Sequence, residues 1–215
     1  MLIDDLTHYV KTFPLRNKSD VFQCLIAFHA YVHTQFQLPI IAFQTNNGKE
    51  FDNLAFRSHL EHHGVTFCLS CPYTSSQNGK AERIIRTLND CVPSLLIHAG
   101  LPDAYWVEAL STATHLLNRR PCRASGQTTP FQLLLGAPPS YNHLRVFGCL
   151  CYPNQASTAP HTLDPRRVSF SGIRLITVDI GVLTCKHVAS SHLAMLFLMK
   201  PTSLFVLNLN FVSRQ

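Results

Sequence analysis

Apolar residues recur at three- and four-residue steps from Val21 to Phe36, at Val21, Leu25, Phe28, Val32 and Phe36, which predicts an amphipathic helix with one stripe turned to a core. Upstream, Leu2 to Leu15 reads as two short strands joined near Asp5-Leu6-Thr7. Pro14 and the polar Arg16-Asn17-Lys18 end that pattern, and Ser19 or Asp20 can cap the helix that follows. The run Ile40-Ile41-Ala42-Phe43 predicts a strand through Gln44, with a loop through Gly48. Asn53 to His63 predicts a second helix with Leu54, Phe56 and Leu60 as core contacts, stopped at Gly64, and Val65 to Leu69 reads as a strand.

A longer stripe, Ile84, Ile85, Leu88, Val92, Leu95 and Leu96, predicts a helix from Ala81 to Ala99, with Pro93 expected to kink or break it at a cost of ~3 kcal/mol. After Gly100-Leu101-Pro102, Asp103 to Asn118 forms a helix holding the sole tryptophan, Trp106, together with Ala109, Leu110, Ala113, Leu116 and Leu117. Thr129-Pro130-Phe131 opens another short helix, ended around Gly136-Ala137-Pro138-Pro139. Near the C-terminus the apolar run Leu193 to Leu198 is interrupted by Lys200 and Pro201, well short of the ~20 residues a membrane span needs. The order β-β-α-β-α-β-α is that of an α/β protein.

Composition narrows this. A chain of 215 residues with 46% hydrophobic content can bury one ordinary core and a small second unit. The net charge of +6 permits a polyanionic partner, although a merely basic surface reads the same way. Asp4 and Asp5 interrupt the N-terminus before any apolar signal-peptide core forms, so the eight cysteines are expected to be reduced thiols and the setting nuclear or cytosolic. His62, His63, Cys68 and Cys71 include a Cys-x-x-Cys spacing. Only four residues separate His63 from Cys68, too few for a finger loop, and the sequence therefore argues against zinc there.

Two polar motifs stand out. Gln44-Thr45-Asn46-Asn47-Gly48-Lys49-Glu50-Phe51 follows a strand, and Pro72-Tyr73-Thr74-Ser75-Ser76-Gln77-Asn78-Gly79-Lys80-Ala81-Glu82-Arg83 leads into a helix with Glu82 in its first turn. The pair resembles the catalytic core of retroviral-type integrases, most closely the copia-type retrotransposon branch. There a strand ends in Thr-Asp-Asn-Gly-x-Glu-Phe and a Pro-Tyr-Thr-x-x-Gln-Asn-Gly-x-Ala-Glu-Arg segment supplies a glutamate, thirty-five residues lying between that aspartate and the glutamate. Here 82 − 46 = 36, which leaves the same thirty-five, but Asn46 stands where the family has its aspartate. Lys18-Ser19-Asp20-Val21-Phe22, Leu101-Pro102-Asp103-Ala104-Tyr105-Trp106-Val107-Glu108-Ala109 and Leu116-Leu117-Asn118-Arg119-Arg120-Pro121 extend the resemblance. It covers roughly Met1 to Arg167.

The resemblance implies a ribonuclease-H-like integrase core, residues 1–120, lacking its first strand. A connecting segment, 121–142, follows, and then the start of an SH3-like domain, 143–167, opened by a strand at His143-Leu144-Arg145-Val146-Phe147-Gly148-Cys149. Beyond Arg167 the pattern stops. Residues 168–215 are expected to be an irregular tail, frameshifted near Val168, because shifting the reading frame by one base restores segments close to the family's Gly-Tyr-Arg and Ser-Arg-His-Val.

The resemblance also implies the chemistry. Intact relatives hold two Mg²⁺ ions between three carboxylates, so that water or a DNA 3′-hydroxyl attacks a phosphodiester in line. Mg²⁺ wants charged oxygen ligands at ~2.0–2.1 Å. Asn46 brings no charge, and the first aspartate, on the absent strand, has no counterpart. Asp4 and Asp5 close the wrong strand to replace it. Glu82 alone remains, as a vestigial metal ligand, and productive Mg²⁺ binding is not expected. DNA contact is expected at Lys80, Arg83, Arg86, Gln77 and Asn78, with a solvated helix face as the plain alternative for the three cations. Homo-oligomerisation is implied by the family. The readings to separate are a degenerate integrase fragment, a non-catalytic nucleic-acid-binding or protein-interaction remnant, and a product that does not fold stably.

Overall fold

A computed structural model describes residues 1–45, 54–70, 78–123, 126–151, 168–174, 179–182 and 204–207. The chain divides into two compact units, one of residues 1–87, 117–139 and 195–215, the other of 88–116 and 140–194.

In the first unit, α1 (Val21–Phe36) buries Val21, Leu25, Phe28, Val32 and Phe36, the stripe expected from its spacing. α2 (Leu54–His62) adds Phe56 and Leu60, and both helices share a core with Leu2, Ile40, Phe43 and Val65. Aromatic edges lock this core: Phe22 meets Phe56 at 6.2 Å and Phe56 meets Phe67 at 5.7 Å, both T-shaped. Leu54, expected in the core, is exposed. It opens the helix, ahead of the face that Phe56 and Leu60 bury.

The sheet of this unit has five strands. β1 (Leu2–Asp4) and β2 (Val10–Lys11) form an antiparallel hairpin, with Ile3 opposite Val10. β3 (Ala42–Thr45) and β4 (Thr66–Leu69) run parallel, with Phe43 beside Phe67. Joining the two halves is β8 (Leu204–Leu207), antiparallel to β1 with Ile3 opposite Val206, and parallel to β3 with Phe43 beside Phe205. The order across the sheet is therefore β2-β1-β8-β3-β4. The segment expected to be irregular thus supplies the middle strand. β1 and β3 would otherwise leave two rows of backbone N–H and C=O groups without ladder partners, and an apolar, partly β-branched tetrapeptide satisfies both. At the outer edge of the sheet, Asn118 at the end of α4 (Trp106–Arg119) meets the same need with a side chain. Its Oδ1 accepts from Val10 N and its Nδ2 donates to Val10 O, both at 2.8 Å.

α3 (Gly79–Ala99) runs unbroken past Pro93, and α5 (Pro130–Leu135) is capped by Thr129, whose hydroxyl accepts from Gln132 N. In the second unit Leu96, Ala109 and Phe147 form the core. The strand expected at His143–Cys149 is instead a pair of turns, closed by Leu144 N to Tyr141 O and Cys149 N to Val146 O. Gly148, at φ +81°, lies against Ala99 and ends any extended course there. A strand, β5, begins only at Leu150–Cys151 and pairs antiparallel with β6 (Val168–Arg174), which pairs with β7 (Asp179–Val182). Among the described residues no helix is long and apolar enough to cross a membrane, and Cys24, Cys68 and Cys91 are free thiols.

Candidate nucleic-acid and metal site

The C-terminal ends of parallel strands are where an α/β sheet usually presents its chemistry. Here β3 ends at the fully buried Thr45, whose carbonyl accepts from Ser70 N at 2.9 Å just past β4. Asn78, immediately before α3, ties these ends to the helix: its Nδ2 donates to Ser70 Oγ at 3.2 Å, and its Oδ1 accepts from Gln44 Nε2 at 3.5 Å. Asn46 is the next residue after Thr45, and Glu82 lies one helical turn beyond Asn78. The clamp therefore brings the strand end that leads to Asn46 up to the first turn of the helix that carries Glu82. Asn46 and Gln77 themselves fall outside the described residues.

Asn78 is buried, with both ends of its amide engaged. Expected to meet DNA, it is spent on holding the clamp together. Glu82 is exposed in the first turn of α3, where the helix dipole favours a carboxylate. Lys80 is also committed, since its Nζ lies 2.5 Å from Asp5 Oδ1 and donates to the Asp5 carbonyl at 3.0 Å. Arg83 and Arg86 are exposed on the same helix. Of the basic positions read from the sequence, these two present their charge to solvent without that neutralising partner.

Asp4 is a further carboxylate, but it pairs with Phe205, which lies beside Phe43, and so sits toward the end of the sheet away from Thr45. It is buried at the hairpin turn, with Oδ2 accepting from Thr7 N at 2.9 Å and from the Thr7 hydroxyl, while Oδ1 has no hydrogen-bond partner. Burial raises its pKa above the ordinary aspartate value, against the lowering by Thr7. The turn neighbour His8, in the left-handed region at φ 60°, has its pKa lowered by burial and by the Lys80 charge. Ser70 was not read from the sequence. Gln44 stood only as part of the motif that leads to Asn46, and Asp5 only as a carboxylate closing the wrong strand, so neither contact was foreseen.

No protein-family model matches the chain. It is 35% identical over 195 residues, 90% of this chain and 13% of the relative, to a retrovirus-related Pol polyprotein from transposon RE2 of Arabidopsis thaliana. A match of that length runs past Arg167, since 167 is fewer than 195. It is also 32% identical over 166 residues, 77% of this chain and 12% of the relative, to the Pol polyprotein from transposon TNT 1-94 of Nicotiana tabacum. The chain thus spans about an eighth of the length of these relatives. Among solved structures it is similar to a chain of the simian T-cell lymphotropic virus intasome in complex with a PP2A regulatory subunit, with a TM-score of 0.50 and 19% identity over 78% of this chain and 62% of that one.

Proposed function

We infer that this chain, whose relatives are copia-type retrotransposon Pol polyproteins and whose fold is that of a ribonuclease-H-like integrase core, is an integrase-derived fragment that has lost metal-dependent phosphodiester transfer. The observation that carries the loss is the donor set around α3. Glu82 is a carboxylate at the expected position; Asn46 takes the place of the second; and β8, the strand in the middle of the sheet, reads Leu204-Phe205-Val206-Leu207 with no acid at all.

These residues do not fit a pair of Mg²⁺ ions. Each ion requires several hard oxygen ligands and anionic charge to offset its own, and one exposed glutamate supplies neither for two. Asp4 is a poor substitute, because its burial favours the protonated form and its Oδ2 is already engaged by Thr7. Asp5 is paired with Lys80.

The test is a strand-transfer assay with oligonucleotide donor ends and plasmid target, in Mg²⁺ and in Mn²⁺, on the unaltered chain and on Asn46→Asp. Neither is expected to join DNA, since the substitution returns one of two missing carboxylates. Joining by the unaltered chain would overturn the reading.

A second reading, retained nucleic-acid binding without catalysis, is favoured by the exposure of Arg83 and Arg86 on one helix of a chain with net charge +6. Self-association, nuclear or cytosolic residence and a frameshifted origin for residues 168–215 complete the proposal. The last is settled by sequencing the gene and its relatives in all frames.

A further inference from the structure

Three histidines converge between the two helices of the first unit. His29 lies on α1 and His59 on α2, and His63, four residues after His59 and directly after the last residue of α2, faces the same side as His59. Each offers a ring nitrogen, and the three nitrogens lie within 4.8 Å of one another. The rings are close: 4.9 Å between centroids for His29 and His63, 5.5 Å for His29 and His59, 4.3 Å for His59 and His63.

Two details go beyond ring packing. His59 Nε2 is buried with no hydrogen-bond partner, a loss that a bound ion would repair. His63 Nδ1 lies 2.8 Å from the carbonyl oxygen of His59. A carbonyl oxygen only accepts, so Nδ1 carries the proton in this contact and Nε2 keeps the lone pair. Metal-bound imidazoles are commonly held this way, with the far N–H donated to a backbone carbonyl.

We propose that His29, His59 and His63 form a transition-metal site of the Zn²⁺ class, with water in the remaining position. Imidazole nitrogens without a carboxylate suit Zn²⁺, Cu²⁺ or Ni²⁺ and not Mg²⁺, so the site is chemically separate from the integrase-type one and shares no residue with it. Burial, and after it the neighbouring histidines, lowers the pKa of His29 and of His59 and so favours the neutral, ligating form. Tetrahedral nitrogens at ~2.0–2.1 Å from zinc stand about 3.4 Å apart. Exposed His63 has room to close the difference. The ion would staple α1 to α2, whose apolar faces share one core.

The experiment is calorimetric titration of Zn²⁺ into the metal-free full chain, with thermal denaturation and Co²⁺ spectra alongside. One equivalent should bind, the melting temperature should rise with Zn²⁺, and Co²⁺ should give visible bands without thiolate charge transfer. His29→Ala and His63→Ala should each weaken binding roughly 10-fold or more, as loss of metal-site residues does, while His98→Ala should not. His63 is exposed, so its variant carries the test if His29→Ala loses its circular dichroism. Affinity unchanged in His63→Ala, or a thiolate band removed by Cys68→Ser with Cys71→Ser, would overturn the proposal.

Discussion

The side-chain amide of Asn118 stands where a sixth strand would lie, answering both backbone groups of Val10 at 2.8 Å. It also covers an edge that would otherwise invite pairing with another chain. Asn118→Leu should lower stability by about 1–3 kcal/mol, the cost of leaving a buried donor or acceptor unmet, read as a shift in denaturant midpoint, and should raise light scattering at high concentration. Gly148→Ala should be as costly. A Cβ there would sit 2.4 Å from Ala99 Cβ, on a backbone at φ +81° that L side chains rarely adopt. Asp4 gives a pH signature. Its folded pKa is raised, so its contribution is fully present below the unfolded value and is lost as pH rises through the folded one. Stability should therefore fall as the pH climbs from about 4, and Asp4→Asn, which keeps an acceptor for Thr7, should flatten that limb in a pH series of thermal melts. Residues of this kind were the least legible in the sequence. Asn78 reads as a loop amide facing a ligand, and only its two partners, eight and thirty-four positions away, reveal it as a buried clamp. His29 and His59 were missed because their convergence needs two helices, although the four-residue spacings His29–His33 and His59–His63 were there to be read.

Elements were legible where their signal is local. The stripe from Val21 to Phe36 is the buried face of α1, because helical period alone decides it. α3 defied its proline: the apolar stripe on both sides of Pro93 keeps the helix continuous despite the lost hydrogen bond. β8 was illegible for the opposite reason, since nothing within Leu204–Leu207 says that its partners are Leu2–Asp4 and Ala42–Thr45. Its position makes a strong prediction. A chain ending at residue 200 loses the strand that joins the hairpin to the parallel pair, and should show weakened cooperativity in urea and dye binding typical of exposed apolar surface. A synthetic peptide of residues 201–215 added in trans should reverse both. Val206→Pro removes a ladder donor from a strand paired on both sides and should act like the truncation. If truncated and full-length chains unfold at the same midpoint, β8 does not hold the sheet together.

For the whole molecule the deciding quantity is charge rather than catalysis. A net +6 gives a long-range attraction to any polyanion, but affinity for DNA depends on how many phosphates meet an unneutralised cation. Lys80 is discounted by its ion pair with Asp5, whereas Arg83 and Arg86 are exposed. On B-form DNA each phosphate neutralised contributes about −0.9 to the slope of log affinity against log salt. Arg83→Ala with Arg86→Ala should therefore flatten that slope by about 2 in a fluorescence-anisotropy titration across sodium chloride. Lys80→Ala alone should change it by much less than one such unit, because releasing Asp5 adds a repulsive charge as it removes an attractive one. A Lys80 effect as large as either arginine's would mean that the pair opens on DNA, and would restore the three-cation edge read from the sequence. A slope unmoved by the double arginine substitution would leave α3 as plain solvated surface and remove the case for nucleic-acid binding by this helix.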